Sequence, residues 1–180
     1  ADLSGTKMSC ANIGAVSGIG TNFSGADLNG AYLSKGNFEQ AKFTNAQMEK
    51  IEAMDVNFTD ADLSATRFYV VFFMDTVLAG VNFTGADVQL CIFIKPKASQ
   101  VDFSGTVFNR CGFIDAKLEQ VCFDRCDLSN SAFAATSPEE SSMENLSFKD
   151  GKFFQANLMN MNLKQCNFKL LTLSLIVLLI

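Results

Sequence analysis

The feature that most constrains this chain is a large apolar residue at every fifth position. Between residues 21 and 45 the sequence reads TNFSG ADLNG AYLSK GNFEQ AKFTN, in which the large apolar residues are Phe23, Leu28, Leu33, Phe38 and Phe43. The residue two places before each of them is small, and the other three positions are polar or typical of turns. A period of five matches neither the period of about 3.6 of a helix nor the period of about 2 of a long strand. It indicates a chain that turns a corner every five residues.

The repeat covers the whole chain. The 180 residues divide into 36 groups of five, called pentads here, and the third residue of each pentad is its centre. The centre is Phe, Leu, Ile, Met or Val in 32 pentads, and the exceptions are Gly18, Ala53, Ala98 and Pro138. A unit with one large and one small apolar residue can fill a narrow interior, but it needs neighbouring units to bury its apolar face. The pattern therefore predicts one solenoid rather than a globular domain.

Three pentads connect this repeat with a known family. ADLSG at 1–5, ADLNG at 26–30 and ADLSA at 61–65 resemble the A(D/N)LXX pattern of pentapeptide-repeat proteins. The resemblance implies an all-β fold, a right-handed quadrilateral β-helix in which four pentads form one square coil. It also implies that the first residue and the centre of each pentad point inward, while the other three positions face solvent. On this basis we expect about nine coils, which at roughly 4.8 Å per coil form a solid rod about 43 Å long.

The four pentads of one coil define four sides of the rod, numbered here from the first pentad of the chain. Residues that are 20 apart should then lie above one another on the same side. We expect the β-helix to span residues 1–168, and an apolar strip at 169–180 to continue or cap its last coil.

Composition disfavours several classes of function. The chain has 19 acidic and 14 basic residues, and its net charge of −5 argues against direct nucleic-acid binding. It contains no His, the commonest general base and metal ligand, and no Gly-rich phosphate loop. A rod with a filled interior also lacks the concave pocket of an enzyme. We therefore expect no catalytic, cofactor-binding or metal-binding residues and no cofactor.

The six cysteines fall into two groups. The inward first position of a pentad, where Cys acts as a compact hydrophobe, is occupied by Cys91, Cys111, Cys126 and Cys166. Cys91 and Cys111 should lie one coil apart, but parallel inward side chains are a poor geometry for a disulfide, so buried free thiols are predicted. Cys10 and Cys122 fall at outward positions several coils apart and are the candidate reactive thiols.

Both prolines fall on side four, in the segments KPKAS (95–99) and ATSPEES (135–141). Proline cannot donate a ladder hydrogen bond and is usually confined to sheet edges and bulges. The two segments are therefore candidates for outward loops. Because the frame resumes in register after each of them, a local bulge is the alternative.

Side three has apolar residues at positions that should face solvent, which usually marks an interaction site. We call this candidate partner-binding face the side-three patch, and its residues are Tyr69, Val70, Phe72, Met74, Ile92, Ile94, Ile114 and Phe154. Phe72 and Phe154 are the two Phe residues outside the centre positions, and both fall on this side. The alternative is that a loop or terminal segment folds over the face.

The acidic residues suggest a second hypothesis. Asp recurs just before the centre, at Asp2, Asp62 and Asp102 on side one and at Asp27, Asp87 and Asp127 on side two. Among pentapeptide-repeat proteins, the Qnr-type members are similar to a DNA duplex in shape and charge and bind type II topoisomerases. Such a mimic should approach one negative charge per ~1.7 Å of its axis. Here basic residues such as Lys42 and Arg67 are interspersed, and Asp at this position also follows from the repeat itself.

The two ends of the sequence suggest further contacts. The last residues, FKLLTLSLIVLLI at 168–180, are apolar even at outward positions, and the candidate association strip consists of Leu170, Leu175, Val177 and Leu179. A dozen residues are too few to span a bilayer. The strip favours contact with a protein partner or a second copy, and contact with a membrane surface or membrane complex is the alternative. The start at Ala1 suits a processed chain of an exported or lumenal compartment, or a trimmed one.

These observations predict a non-enzymatic scaffold protein that mediates protein–protein interaction, either as a subunit of a larger assembly or as a homodimer. The alternative is a DNA-mimicking inhibitor or protector of a type II topoisomerase.

Overall fold

The structure is a computed structural model that describes residues 1–134, the strands at 152–154 and 172–174, and Lys169. Its regular elements are short parallel β-strands of three residues each, separated by turns. In order they are β1 (Gln47–Glu49), β2 (Glu52–Met54), β3 (Arg67–Tyr69), β4 (Phe72–Met74), β5 (Asp87–Gln89), β6 (Ile92–Ile94), β7 (Lys97–Ser99), β8 (Val107–Asn109), β9 (Gly112–Ile114), β10 (Lys117–Glu119), β11 (Ala132–Ala134), β12 (Lys152–Phe154) and β13 (Thr172–Ser174).

Every strand pairs with the strand 20 residues away, which confirms that four pentads form one coil. Side two contains the sheet β1-β3-β5-β8, side three the sheet β13-β12-β11-β9-β6-β4-β2, and side four the pair β10-β7. Side one is joined by single parallel bridges with the same spacing, such as that between Asp62 and Asn82. The strands keep the same register from coil to coil, since Phe73 lies beside Phe93 and Phe93 beside Phe113.

The coil count can be followed furthest on side three. Its ladder runs through nine rungs, from the bridge between Asn12 and Tyr32 to the pairing of β12 with β13. On all four sides together the described residues complete six coils, and residues 121–134 begin a seventh. The nine rungs of side three thus match the nine coils expected from the sequence. The other sides of the last two coils lie outside the described residues.

The corners of the coils are made by residues with a left-handed backbone. All 26 pentads up to residue 130 have a positive φ, between +48° and +70°, at their fifth residue. Only seven of these residues are Gly, and the others include the β-branched Val70 at +54°. At many corners the N–H of the next first residue donates to the previous centre, as Ala26 does to the carbonyl of Phe23. A positive φ at the third residue of a hydrogen-bonded turn is the signature of a type II turn.

The interior consists of stacked apolar side chains, and from Thr21 to Phe133 the centres and first residues of the pentads are buried as predicted. In the first coil most of these positions are only partly buried, and Val16 is 43% exposed. On side three, Phe73, Phe93, Phe113 and Phe133 form a continuous stack with centroid separations of 4.6–4.8 Å. Rings from side one meet this stack edge to face, as in the contact of Phe93 with Phe103. Offset stacks and edge contacts are the favourable aromatic arrangements, so the columns stabilise the coils beyond simple burial.

Polar groups at the inward first position are satisfied by the coil below. The hydroxyl of Thr66 donates to the carbonyl of Phe43 at 2.7 Å, and the hydroxyl of Thr106 donates to that of Phe83 at 2.8 Å. The buried hydroxyl of Thr76, by contrast, has no hydrogen-bond partner. One rung position therefore has a polar atom that costs free energy to bury.

The expectation of an outward loop at 95–99 is wrong. Lys97–Ser99 is the regular strand β7, paired with β10, and Pro96 is buried at an inward first position. The N–H at this position elsewhere closes a turn and does not enter the ladder, as at Ala26. Proline therefore fits here without removing a ladder hydrogen bond. The second proline segment, 135–141, lies outside the described residues.

Candidate functional site

The outer surface of side three is built by β2, β4, β6, β9 and β11, stacked in register. In each strand the middle residue is the buried centre, and the residues on either side of it point outward. The residues that follow the centres form a row of apolar side chains in neighbouring rungs: Met54, Met74, Ile94 and Ile114. Phe72 and Ile92 form a shorter parallel row on the other flank. Within each row, neighbouring positions are separated by one rung, or about 4.8 Å.

Exposure differs along these rows. Phe72 is 50% exposed, Met54 45% and Ile114 36%, whereas Met74, Ile92 and Ile94 are half-buried among them. Tyr69 and Val70 are also half-buried and lie at the corner where side two turns into side three. The structure therefore brings seven of the eight residues of the side-three patch together. Phe154 belongs to β12, whose backbone continues the ladder, but its side chain lies outside the described residues.

Three apolar residues of this surface were missed by sequence reasoning. Tyr32 (39% exposed) and Met54 extend side three toward the first coils, and Leu90 (38% exposed) lies above Val70 at the corner. Each is 20 residues from another outward position of the same column, so a systematic step of 20 along the sequence would have found them. The exposed apolar surface consequently spans more coils than the side-three patch as first defined.

Charged side chains line the two edges of side three. The edge shared with side two carries Lys50 and Arg110 at the exposed fifth position, and the edge shared with side four carries Asp55, Asp75 and Asp115. Lys35 and Lys95 are the exceptions on the acidic edge. The apolar face thus has one basic edge and one predominantly acidic edge.

The Asp residues before the centres have a structural role. The carboxylate of Asp62 accepts the backbone N–H of Ser64, and Asn22 makes the same bond to the N–H of Ser24. Burial raises the pKa of Asp62, but hydrogen bonds from Ser64 and Thr44 outweigh it and hold that pKa below its usual value. Because Asn and Asp share this task, the Asp residues follow from the local turn chemistry.

The acidic residues also do not form a continuous stripe. On side one the column just before the centres reads Asp2, Asn22, Lys42, Asp62, Asn82, Asp102 and Cys122. On side two the corresponding column begins with Lys7 and has Gln47 and Arg67 between Asp27 and Asp87. Basic side chains therefore interrupt both acidic columns.

A shallow cleft of about 420 Å³ lies on side four. Its floor consists of small or apolar residues, including Val77, Ala79 and Ala98, and its walls include Lys97 and Lys117. The centre of this rung is Ala98, so a short side chain replaces the Leu of the neighbouring coils. The lining carries charges of both signs and shows no chemically defined ligand preference.

The described cysteines follow the two predicted groups. Cys91, Cys111 and Cys126 are buried free thiols, while Cys10 is exposed and Cys122 half-buried. Contact with Cys111, together with burial, raises the pKa of Cys91, and burial raises the pKa of Cys126. These two thiols therefore stay protonated at neutral pH and are poor nucleophiles. Cys166 lies outside the described residues.

Across the part of the chain that the structure describes, no group of three or more His, Cys, Asp or Glu side chains could hold a metal ion. The same residues contain no helix with the length and apolar character needed to cross a membrane. The candidate association strip of Leu170, Leu175, Val177 and Leu179 falls outside the described residues, and its role stays a prediction.

Fold and repeat together define a class of protein, the four-sided solenoids built from five-residue repeats. A family model for pentapeptide repeats matches the chain in eight copies, over residues 1–34, 21–60, 57–93 and 97–130. The chain belongs to the pentapeptide-repeat family, and its fold is the right-handed quadrilateral β-helix of that family.

Solved structures show the same fold at low sequence identity. A trypsin-treated variant of QnrB1, a plasmid-mediated fluoroquinolone resistance protein, is 14% identical with a TM-score of 0.74. The match covers 92% of this chain and 87% of the QnrB1 chain. HetL, a pentapeptide repeat protein involved in heterocyst differentiation regulation from the cyanobacterium Nostoc sp. strain PCC 7120, is 15% identical with a TM-score of 0.50. The match covers 95% of this chain and 84% of the HetL chain. No curated protein sequence matches the chain significantly. At these identities the likeness concerns the fold alone.

Proposed function

We propose that this protein is a non-enzymatic scaffold that binds protein through the side-three patch, as a subunit of a larger assembly or as a homodimer. The observation that carries the proposal is the uninterrupted row Met54, Met74, Ile94 and Ile114, flanked by the half-exposed Phe72. Exposed apolar surface that is contiguous over several rungs marks an interaction site more often than scattered apolar residues do.

The energetics support a binding face. A Phe side chain offers about 150–250 Å² of surface, so covering the exposed half of Phe72 contributes about 2–3 kcal/mol. The neighbouring Met and Ile side chains add smaller amounts. The strands beneath are held in register by ladders on both sides, so the face is preorganised and little conformational entropy is lost on binding.

The non-enzymatic part of the proposal rests on the interior and on composition. The coils are filled with stacked Phe rings, and the chain contains no His. The buried thiols of Cys91 and Cys126 are held in their protonated form. The chain thus offers few side chains that could form a nucleophile paired with a general base, which is the usual arrangement of a hydrolytic site.

The alternative, a DNA-mimicking inhibitor or protector of a type II topoisomerase, requires a continuous acidic stripe. Lys42 interrupts the acidic column of side one, and Arg67 that of side two. The likeness to QnrB1, at 14% identity, concerns the fold and does not carry its resistance activity over to this chain. We therefore favour the scaffold.

The test compares two single substitutions that each add one negative charge. Phe72→Asp changes a residue in the middle of the side-three patch, and Thr84→Asp changes an exposed residue of side one. Partners captured by the wild-type protein from its native extract are purified, and binary binding of each is measured by calorimetry. We expect at least roughly tenfold weaker binding by Phe72→Asp and no significant change by Thr84→Asp. Equal binding by the two variants would refute the side-three patch as the binding face.

A further inference from the structure

The edges of side three carry opposite charge, and the face between them is self-complementary. Over the third to sixth coils the fifth residues on the side-two edge are Lys50, Val70, Leu90 and Arg110. The fifth residues on the side-four edge are Asp55, Asp75, Lys95 and Asp115. One edge therefore has a net charge of +2 and the other a net charge of −2, at the same four levels of the rod.

From this arrangement we infer that a second copy of the chain docks on side three, with the two rods parallel and related by a two-fold axis along the rod. The inference rests on the proposed function and names the partner of the same face. A two-fold axis in this direction exchanges the left and right edges of the face and leaves the level unchanged. Lys50 then faces Asp55 of the second copy, and Arg110 faces Asp115.

The opposite orientation is disfavoured by the same charges. If the rods were antiparallel, each edge would meet its own counterpart with the levels reversed. Lys50 would then lie near Arg110, and Asp55 near Asp115, which places like charges together in both cases, and only Asp75 and Lys95 would meet with opposite charge. Like charges brought together across an interface cost free energy and suppress the wrong arrangement.

The apolar residues match in the parallel arrangement as well. The residue before each centre packs against the residue after the centre of the second copy, so Phe72 meets Met74 and Ile92 meets Ile94, while in the third coil Glu52 lies opposite Met54. Gly112 meets Ile114, and the backbone at Gly112 is uncrowded, because a Cβ placed there would make only an ordinary contact with Ile92 at 3.9 Å. The exposed Ile114 therefore has room to enter.

The size of the face sets the affinity to expect. Seven described rungs at about 4.8 Å, each with two outward-facing strand residues between its corners, give a face roughly 30 Å long and 10 Å wide. A face of this size is smaller than a standard specific interface and is typical of weak, transient contacts. We therefore expect a reversible dimer with a dissociation constant in the range of about 1–100 μM.

A charge-reversal experiment tests the pairing directly. Arg110→Asp places two Asp residues opposite each other at two symmetric points, and Asp115→Arg does the same with two Arg residues. Both positions are exposed corners with positive φ, where other chain positions carry Arg, Lys, Asp or Asn, so neither change should disturb the fold. Measured by sedimentation equilibrium, each variant should dimerise roughly tenfold more weakly than wild type.

Mixing the two variants should restore dimerisation, because opposite charges then meet at both symmetric points. At one point the aspartate introduced at position 110 meets the arginine introduced at position 115, and at the other the native Arg110 meets the native Asp115. Restoration to within about threefold of the wild-type constant supports the parallel side-three dimer. A mixture no tighter than the separate variants would overturn it, and so would a wild-type chain that stays monomeric up to about 200 μM. Dimerisation unaffected by Phe72→Asp would also overturn it, since the contact would then lie elsewhere.

The orientation has an independent readout at Cys10, an exposed corner residue of the first coil. With Cys122→Ser and Cys166→Ser, so that no thiol other than Cys10 remains outside the buried thiols of the described residues, a nitroxide on Cys10 should show an inter-label distance of about 20 Å in parallel rods. Antiparallel rods with Lys50 near Arg110 would separate the labels by about 35 Å, from seven rung spacings. The longer distance would overturn the parallel arrangement. A monomeric chain that still loses a different protein partner on Phe72→Asp would refute the dimer and leave the proposed function standing.

Discussion

The rings of Phe73 and Phe93 stack in the core with their centroids 4.6 Å apart and their planes 4° from parallel. Phe73 is fully buried, while Phe72 beside it in sequence is half exposed. Phe73→Ala removes one ring of a continuous stack and leaves a cavity, and it should lower the free energy of unfolding by about 3–5 kcal/mol. Phe72→Ala should lower it by less than about 1 kcal/mol. Urea denaturation followed by circular dichroism measures both.

The corresponding Asp variants sharpen this comparison. Phe73→Asp places an unpaired charge in a dry stack and should unfold the coils around it. Phe72→Asp should keep the wild-type spectrum and melting temperature within a few degrees. Similar losses at both positions would mean that the inward and outward assignment of this strand is incorrect.

Thr76 has the buried hydroxyl without a partner, whereas the hydroxyl of Thr106 donates to the carbonyl of Phe83 at 2.8 Å. Valine has nearly the same shape as threonine and no polar atom. Thr76→Val should therefore raise the free energy of unfolding by about 1 kcal/mol, because a buried unsatisfied donor is removed. Thr106→Val, the matched control, should lower it by about 0.5–1.5 kcal/mol. If Thr76→Val destabilised the protein as much as Thr106→Val does, Thr76 would have a partner in solution.

The fold could be predicted from the sequence because the inward positions repeat without interruption. The burial of Phe73 and the register of Phe93 with Phe113 both follow from counting in fives and twenties. The segment at 95–99 was mispredicted because proline was judged by its absence from central strands. Pro96 lies at a corner, where its missing N–H removes a turn bond and leaves the ladder intact.

The candidate site was less accessible to sequence reasoning. Tyr32, Met54 and Leu90 were overlooked because each is the only outward apolar residue of its own pentad. They are recognised as part of a surface only when they are compared with residues 20 positions away, which lie in the same column. The opposite charges of Lys50 and Asp55 are five residues apart in sequence, yet they lie on opposite edges of one face. Such relationships depend on which corner each residue occupies, and the pentad pattern alone treats all corners alike.

Val70 has a left-handed backbone, with φ of +54°, although its side chain is β-branched. Left-handed backbone costs an ordinary L-residue about 1–2 kcal/mol, and Asn tolerates it better. Asn already occupies the equivalent corner positions 45 and 130. Val70→Asn should therefore raise the free energy of unfolding by about 1 kcal/mol, measured by urea denaturation at low micromolar concentration.

Val107→Asn is the control for this change. Val107 is also an outward-facing Val and is more exposed, at 44%, but it begins the strand β8 and has no positive φ. The substitution there should be neutral or destabilising, because Asn is disfavoured in strands. Stabilisation by both variants to the same extent would show that loss of an exposed apolar side chain, and not relief of the backbone, is responsible.

The carboxylate of Asp62 accepts hydrogen bonds from the N–H of Ser64 and the hydroxyl of Thr44, at 3.0 Å each. Burial opposes ionisation, but these bonds prevail and lower the pKa of Asp62. A carboxyl whose pKa is lower in the folded state stabilises the fold above its unfolded pKa of about 3.9, and that stability is lost as the pH falls through the folded pKa. Asp62 should therefore contribute to a loss of stability on acidification below about pH 4.

Asp62→Asn separates this contribution from that of the other carboxyls. Asn keeps the acceptor for the N–H two residues on, as Asn57 does for Thr59, so the turn is preserved. Urea midpoints measured between about pH 3 and pH 7 should fall less steeply for Asp62→Asn than for wild type, by a small margin because the group is only partly buried. A steeper fall for Asp62→Asn would mean that the hydrogen bonds to this carboxylate do not favour its ionised form.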